Sequence, residues 1–161
     1  MEHFELSNSD KTSVLLYALD FNLKEINHKE DEQQKLFEWS TGLLLASFAA
    51  IVALAGKTGP LAYPIHIKSL ATGLIVIPTV LLVYRIITRT KDAIGNAMTA
   101  ETVENLLHLF DEGYYGTHAP FPKEWRNSLA KYVRKDKLPA YYAMIIMLMT
   151  ACVVTAIWLL L

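Results

Sequence analysis

Three long stretches without a charged side chain limit what this chain can fold into. The first covers Trp39 to Gly56, and at about 1.5 Å of rise per residue a helix of that length measures roughly 27 Å. The hydrocarbon core of a bilayer is about 30 Å thick. Ser69 to Tyr84 and Leu138 to Leu161 have the same character. The sequence therefore predicts an all-α integral membrane protein with three transmembrane helices.

The polar segments complete the predicted layout. The soluble parts are a cytosolic N-terminal helix in 1–38, a short external loop in 57–66 and a cytosolic helical connection in 88–138. The three spans occupy 39–56, 67–87 and 139–161. The external loop contains Gly59-Pro60, which does not continue a helix. Because the first 38 residues lack the apolar region of a signal peptide, we expect the first span to act as its own insertion signal.

The distribution of Lys and Arg predicts the orientation. Of 15 such residues, four precede the first span, two flank the first loop and nine lie in residues 85–137. Loops rich in Lys and Arg stay in the cytoplasm. We therefore expect a multi-pass protein of the inner (plasma) membrane, with its N-terminus cytoplasmic and its C-terminus external. The net charge of -1 gives no bulk attraction for nucleic acid, which is not an expected partner.

The N-terminal segment has the periodicity of an amphipathic helix. Apolar residues recur at three- and four-residue steps at Leu16, Leu19, Leu23 and Ile26. We expect Asp10 to cap this helix, which covers Lys11 to Lys35. It is expected to continue into the first span, because no Gly or Pro precedes Trp39. Its apolar stripe either packs on the soluble part of its own chain, which is favoured, or serves oligomerisation or sensing.

Two features predict how the spans pack. Small side chains recur at roughly helical spacing in the first span: Gly42, Ala46, Ala50 and Ala53. Faces of this kind let helix backbones approach closely in lipid. The sequence favours packing on the second or third span over a contact between subunits. In the second span, Pro78 removes one backbone hydrogen bond and predicts a kink, which is either ordinary packing or a sign of movement.

The cytosolic connection is expected to contain two helices. The first is Glu101 to Glu112, with an apolar face and Gly113 as its stop. The second is Lys123 to Lys135, a basic helix with Trp125 on its apolar face, which suits the surface of an anionic leaflet. The residues expected to contact a membrane surface or a ligand are Trp125, Lys123, Arg126, Lys131, Arg134 and Lys135.

Candidate ligand groups also lie in this connection. Tyr114 and Tyr115, together with nearby cations, have the stacking faces and phosphate partners that a nucleotide requires, although membrane binding explains the cations equally well. On the first helix, four residues at steps of three, four and three could hold a metal or form a solvated acidic face, which is favoured. These residues are Glu101, Glu104, His108 and Asp111.

Groups suited to catalysis are scarce. The spans contain no ionisable side chain at mid-depth. Since such residues usually mark ion paths and proton relays, their absence argues against coupled transport and against an intramembrane enzyme. The sequence therefore predicts no catalytic residue, no metal site and no cofactor, and the chain is not expected to be an enzyme.

The layout resembles that of the SLATT-type small bacterial membrane effectors, which are linked to nucleotide signalling. The resemblance is carried by the helix that runs into Trp39, the hairpin from Trp39 to Ile87 and the long helical segment that follows. It is one of arrangement, and the third span departs from the two-span pattern. It implies an effector of the antiviral or stress type that permeabilises the membrane when triggered.

These observations lead to a functional expectation. We expect a homo-oligomer in the lipid bilayer whose cytosolic helices receive a nucleotide or protein trigger and whose spans then rearrange into a pore. The alternative is a structural or accessory subunit of a larger membrane complex, in which the spans only pack.

Overall fold

The computed structural model describes residues 7–58 and 63–161, which contain helices and turns but no strand. The all-α prediction is therefore confirmed. The helices are α1 (Asn8–Thr58), α2 (Ile65–Leu106), α3 (Leu129–Lys135) and α4 (Leu138–Leu160), with a 3-10 turn at Lys123–Trp125. Three helices, α1, α2 and α4, are long and apolar enough to cross a membrane. The predicted Gly59-Pro60 turn lies outside the described residues.

Helix α1 begins one turn earlier than expected. The Ser7 hydroxyl accepts the Asp10 backbone N–H at 3.2 Å and donates to the Asp10 carboxylate at 2.7 Å. A Ser followed three residues later by an acidic side chain is the pattern of a capping box. The prediction that Asp10 caps the helix is therefore wrong, because Ser7 does so. The expected continuity is observed, since α1 runs without a break through Trp39.

The chain divides into two compact units, and α1 and α2 contribute residues to both. The unit that we call the polar unit comprises the residues up to Glu30 together with Thr90–Asp136. The second, which we call the apolar unit, comprises Asp31–Arg89 and Lys137–Leu161. The first contains the loop between α2 and α3, and the second contains most of each long apolar stretch.

Helices α1, α2 and α4 form the core of the apolar unit. Its buried members are Leu44, Ile51, Ile86, Ile146, Val153, Ala156 and Ile157. Two buried hydroxyls, those of Thr79 and Thr150, lie 3.1 Å apart, and each is 2.8 Å from the carbonyl oxygen one turn before it. Hydroxyls that bond the preceding turn and bridge two helices satisfy their polarity without water.

The small-residue face of α1 does not pack in this core. Its four members, Gly42, Ala46, Ala50 and Ala53, are all exposed, and a Cβ at Gly42 would meet no atom within 4 Å. Leu44 and Ile51, from the opposite side of the helix, are buried instead. The favoured interpretation, packing on the chain's own spans, is therefore wrong. Branched side chains offer more atoms for dispersion contacts than Gly or Ala, and here they form the packing face.

Helix α2 continues through Pro78 and Gly95 and ends at Leu106, six residues before the expected end at Glu112. The chain leaves the helix at His108, which has a φ of 55°. A non-glycine residue in this left-handed region needs local support. The His108 ring supplies it through a hydrogen bond of 2.8 Å to Asp111. The expected stop, Gly113, lies in the loop beyond. The kink at Pro78 stays a prediction.

The expected basic helix from Lys123 to Lys135 is not one helix. It consists of the 3-10 turn and α3, with Asn127 between them at a φ of 55°. Asn adopts this backbone conformation more readily than most residues, so it interrupts the helix. The break separates Trp125 from the helical turns that carry Lys131 and Lys135.

The N-terminal part of α1 packs within the polar unit. Ile26 forms a buried cluster with Ala93 and Ala97 of α2 and with Val133 of α3. The favoured interpretation of the apolar stripe, packing on the chain's own soluble part, is therefore confirmed for Ile26. Leu16, by contrast, is 52% exposed.

Candidate functional site: an aromatic pocket in the polar unit

The last turn of α2, the loop after it and helix α3 line an open cavity of about 590 Å³, which we call the aromatic pocket. This volume falls within the usual range for small-molecule sites. The residues that line it are Glu104, Phe110, Phe121, Trp125, Ser128, Leu129, Lys131, Tyr132 and Lys135. Aromatic rings thus share the pocket with two lysines and one carboxyl group.

The aromatic rings of the pocket differ in their exposure to solvent. Phe110 is buried, at 2% exposure, and its ring centroid lies 6.2 Å from that of Phe121. Phe121 in turn stacks on Trp125 at 6.1 Å. Trp125 and Tyr132 are 59% and 75% exposed. Large exposed aromatic faces beside a buried one are typical of a surface that another molecule covers.

A polar clamp centred on Arg126 fixes the loop around these rings. Its guanidinium donates to Asp111 at 2.7 Å and to Asn105 at 3.0 Å. It also lies 5.7 Å from the centre of the Phe110 ring, a cation–π distance. A carboxylate oxygen of Glu101 accepts the backbone N–H of Ala130 at 2.8 Å and thereby caps the start of α3. These contacts tie α2 to the segment that carries the pocket residues.

Two carboxyl groups, one in the pocket and one in the clamp, have pKa values that are shifted in opposite directions. Burial, and then the neighbouring charge of Glu101, raises the pKa of Glu104. The hydrogen bond from His108, and then the one from Arg126, lowers the pKa of Asp111, which lies in the clamp. Lys131 and Lys135 are exposed, and neither forms an ion pair within residues 7–58 and 63–161. The pocket therefore offers two cations to an incoming anion.

The structure separates the six residues that the sequence assigns to membrane or ligand contact. Trp125, Lys131 and Lys135 line the pocket. Lys123 pairs with Glu112 at 3.2 Å and Arg126 with Asp111, so both belong to the loop. Arg134 is exposed and lies outside the lining.

The other candidate ligand groups have local roles. The Tyr114 ring stacks on His108 at 4.3 Å, and the Tyr115 hydroxyl donates to the Leu107 carbonyl at 2.6 Å. Of the four residues of the predicted acidic stripe, Glu101 in α2 caps α3, and His108 pairs with Asp111 in the loop beyond α2. Within the described part of the chain, no three potential metal ligands come together.

Sequence reasoning missed Phe121 as a pocket residue. It lies in the loop, before Pro122, and reaches the site because its backbone N–H donates to the Leu109 carbonyl at 3.0 Å. No periodic pattern in the sequence predicts such a contact. The only signal in the sequence is the density of aromatic residues between Phe110 and Trp125.

The chemistry of the pocket suits a planar anion, because rings stack on aromatic faces and lysines attract negative charge. Comparison with known proteins finds no matching family model, no matching curated protein and no matching solved structure.

Proposed function

We propose that this chain is a multi-pass protein of the inner membrane that works by homo-oligomeric assembly, with the N-terminus in the cytoplasm and the C-terminus outside. The aromatic pocket receives a trigger, and the spans then rearrange and permeabilise the bilayer. The observation that carries the proposal is the exposed apolar surface of the apolar unit.

This surface is extensive on all three long helices. In the most apolar 18-residue windows of the three candidate spans, only 17%, 11% and 33% of the residues are buried. Leu74, Leu81 and Leu148 are 68%, 62% and 66% exposed. Exposing this much apolar surface to water is unfavourable, whereas lipid accommodates it. Helices suit lipid because their backbone N–H and C=O groups are hydrogen-bonded within the helix.

The small-residue face supports assembly. Because Gly42, Ala46, Ala50 and Ala53 make no intrachain packing face, a second copy of the chain can approach the backbone of α1 there. Close approach between small residues is a main source of helix association in lipid. The absence of ionisable groups at mid-span in the sequence favours a pore formed by assembly over coupled transport.

The aromatic pocket supports a soluble trigger. Trp125 and Tyr132 expose ring faces, and Lys131 and Lys135 supply charge. A nucleotide combines a planar base with phosphates and fits this combination. Helix α2 contributes residues to the polar unit as well as to the apolar unit. Because it also contributes Glu104 to the pocket lining, we infer that binding at the pocket acts on the spans through α2.

The test combines induced expression with a dye that reports membrane potential. We expect expression of the full chain to depolarise cells. The double variant Ala46→Leu with Ala50→Leu, which adds bulk to the small-residue face, should reduce both depolarisation and oligomer mass. Val52→Leu, at an exposed position on another side of α1, is the matched control and should change neither.

Mass measurement after detergent extraction separates this proposal from its alternative. A homo-oligomer supports assembly of a single chain. Stable unrelated partners that co-purify would identify an accessory subunit, whose exposed apolar helices are covered by other proteins. Cells that remain polarised and growing under every trigger tried, although the oligomer forms, would rule out permeabilisation.

A further inference from the structure

A small cleft lies between α1 and α2 in the apolar unit. It has a volume of about 210 Å³ and is lined by Glu32, Lys35, Leu36, Trp39 and Arg85. We call it the basic cleft. Its one acidic member is already engaged, because Arg89 pairs with Glu32 at 3.0 Å. Lys35 and Arg85 are exposed and form no ion pair in the part of the chain that the structure describes.

A second cavity of about 340 Å³ adjoins the basic cleft and shares Leu36 and Trp39 with it. This cavity, which we call the apolar groove, continues between the same two helices past Leu43, Leu74 and Pro78.

The polar atoms in the apolar groove are few and already bonded. The hydroxyls of Ser40 and Ser47 donate to the carbonyls of Phe37 and Leu43 at 2.9 Å and 2.8 Å. Because these donors are satisfied within α1, the groove offers an apolar wall to whatever fills it.

We propose that the basic cleft and the apolar groove together bind one anionic phospholipid. The phosphate lies between Lys35 and Arg85, and one acyl chain follows the groove past Leu74. Arg binds phosphate through paired N–H groups and Lys through its point charge. Trp39, which both cavities share, is a side chain that favours the boundary between headgroups and hydrocarbon.

The two cavities select an amphiphile that carries a negative charge. A free phosphate would leave the groove empty, and a zwitterionic lipid such as phosphatidylcholine would bring its quaternary ammonium cation beside Lys35 and Arg85, which repel it. The pairing of Arg89 with Glu32 matters here, because an unpaired carboxylate in the cleft would repel a phosphate. The inference rests on the membrane location proposed above, but it does not depend on oligomerisation or on permeabilisation.

The test is native mass spectrometry of the full chain in detergent, with phosphatidylglycerol and phosphatidylcholine of identical acyl chains in competition. We expect retention of phosphatidylglycerol to exceed that of phosphatidylcholine by a factor on the order of ten. Lys35→Gln with Arg85→Gln should remove the preference. Lys91→Gln, an exposed cation on α2 outside the cleft, should leave it intact.

Two further measurements distinguish binding of the lipid headgroup from binding of the acyl chain. Leu74→Trp, which fills the groove, should lower retention of both lipids. Inorganic phosphate should not displace bound phosphatidylglycerol, because it does not occupy the groove. Equal retention of the two lipids by the unmodified chain would overturn the proposal even if the double variant failed to fold, and so would complete displacement by inorganic phosphate.

The same preparation distinguishes failure of this inference from failure of the proposed function. A chain that needs detergent and forms a homo-oligomer, yet shows no preference for the anionic lipid, overturns only the lipid site. A chain that dissolves as a compact monomer without detergent overturns the membrane location and the lipid site together.

Discussion

Each of the two units of this protein is stabilised internally by a different balance of forces. In the polar unit, charged and polar side chains connect segments that are distant in sequence, as Arg126 does with Asn105 and Asp111. In the apolar unit, most buried residues are aliphatic, and buried polar residues such as Gln33, Ser40 and Thr79 bond to backbone carbonyls or to another hydroxyl. The loop of the polar unit therefore depends on directional bonds as well as on the apolar cluster around Ile26, whereas the apolar unit depends mainly on many weak contacts between its helices.

This difference shows where each unit can change. Removing one directional bond in the polar unit is expected to alter the geometry of the loop that this bond connects to α2. Removing one methyl group in the apolar unit leaves a void that the remaining contacts surround. Under the proposed function, a ligand that competes for the bonds around the aromatic pocket would therefore rearrange the polar unit. The apolar unit, by contrast, is expected to respond to changes in the shape and packing of its side chains.

The largest expected effect tests the packing of the apolar unit. Ile146 is fully buried, at 0% exposure. We expect Ile146→Ala to lower the free energy of unfolding by about 2–5 kcal/mol, because the removed atoms leave a cavity in the core. Thermal unfolding in detergent, followed by circular dichroism, measures the change.

The matched control is Leu148→Ala, two residues along the same helix. Leu148 is 66% exposed, and its truncation should change the free energy of unfolding by no more than about 0.5 kcal/mol. Equal losses for the two variants would mean that α4 presents a different face to its neighbours. The apolar unit would then not be stabilised by the side-chain packing that distinguishes it from the polar unit.

The second effect is smaller and tests the bonded character of the polar unit. Glu101 accepts the Ala130 N–H at the start of α3. We expect Glu101→Ala to lower the free energy of unfolding of this region by about 0.5–2 kcal/mol, the cost of losing a helix cap. Hydrogen exchange at the Ala130 amide should accelerate. Glu101→Gln keeps a carbonyl oxygen at this position and should exchange more slowly than the alanine variant.

The same contrast explains how much of the fold follows from sequence. The three long apolar helices follow from the charge-free stretches, because a span of lipid length without charges has few other stable forms. The continuity of α1 across Trp39 follows from the absence of Gly and Pro. The packing face of α1 does not follow, since Leu44 and Gly42 lie on different sides and each side has a physical argument for contact.

In the polar unit, the sequence patterns did not predict that Glu101 belongs to α2, where α2 ends, or that the expected helix from Lys123 to Lys135 is interrupted. The apolar periodicity continues past Leu106, yet α2 stops there and the chain turns at His108. That turn depends on a side-chain bond from His108 to Asp111, which no helical pattern encodes. The aromatic pocket was predictable only in part, because Trp125 and the lysines lie near one another in sequence whereas Phe121 reaches them through the loop.

The smallest expected effect is a pH dependence confined to the polar unit, where two carboxyl groups have pKa values shifted in opposite directions. Burial raises the pKa of Glu104, so the folded state binds a proton there more readily than the unfolded state does. Its ionised form destabilises the fold above the raised pKa, and this penalty disappears as the pH falls towards the ordinary value. Bonds from His108 and Arg126 lower the pKa of Asp111. Asp111 therefore stabilises the fold above its ordinary pKa, and this stabilisation is lost as the pH falls through the lowered value.

The two matched variants should therefore behave in opposite ways. At neutral pH, Glu104→Gln should unfold at a higher temperature than the unmodified chain and Asp111→Asn at a lower one. Both differences should shrink in acid, that of Glu104→Gln first, because its raised pKa is crossed at a higher pH. Thermal unfolding across a pH series measures both. If both variants changed the unfolding temperature in the same direction at neutral pH, the opposite pKa shifts that we assign to Glu104 and Asp111 would be wrong.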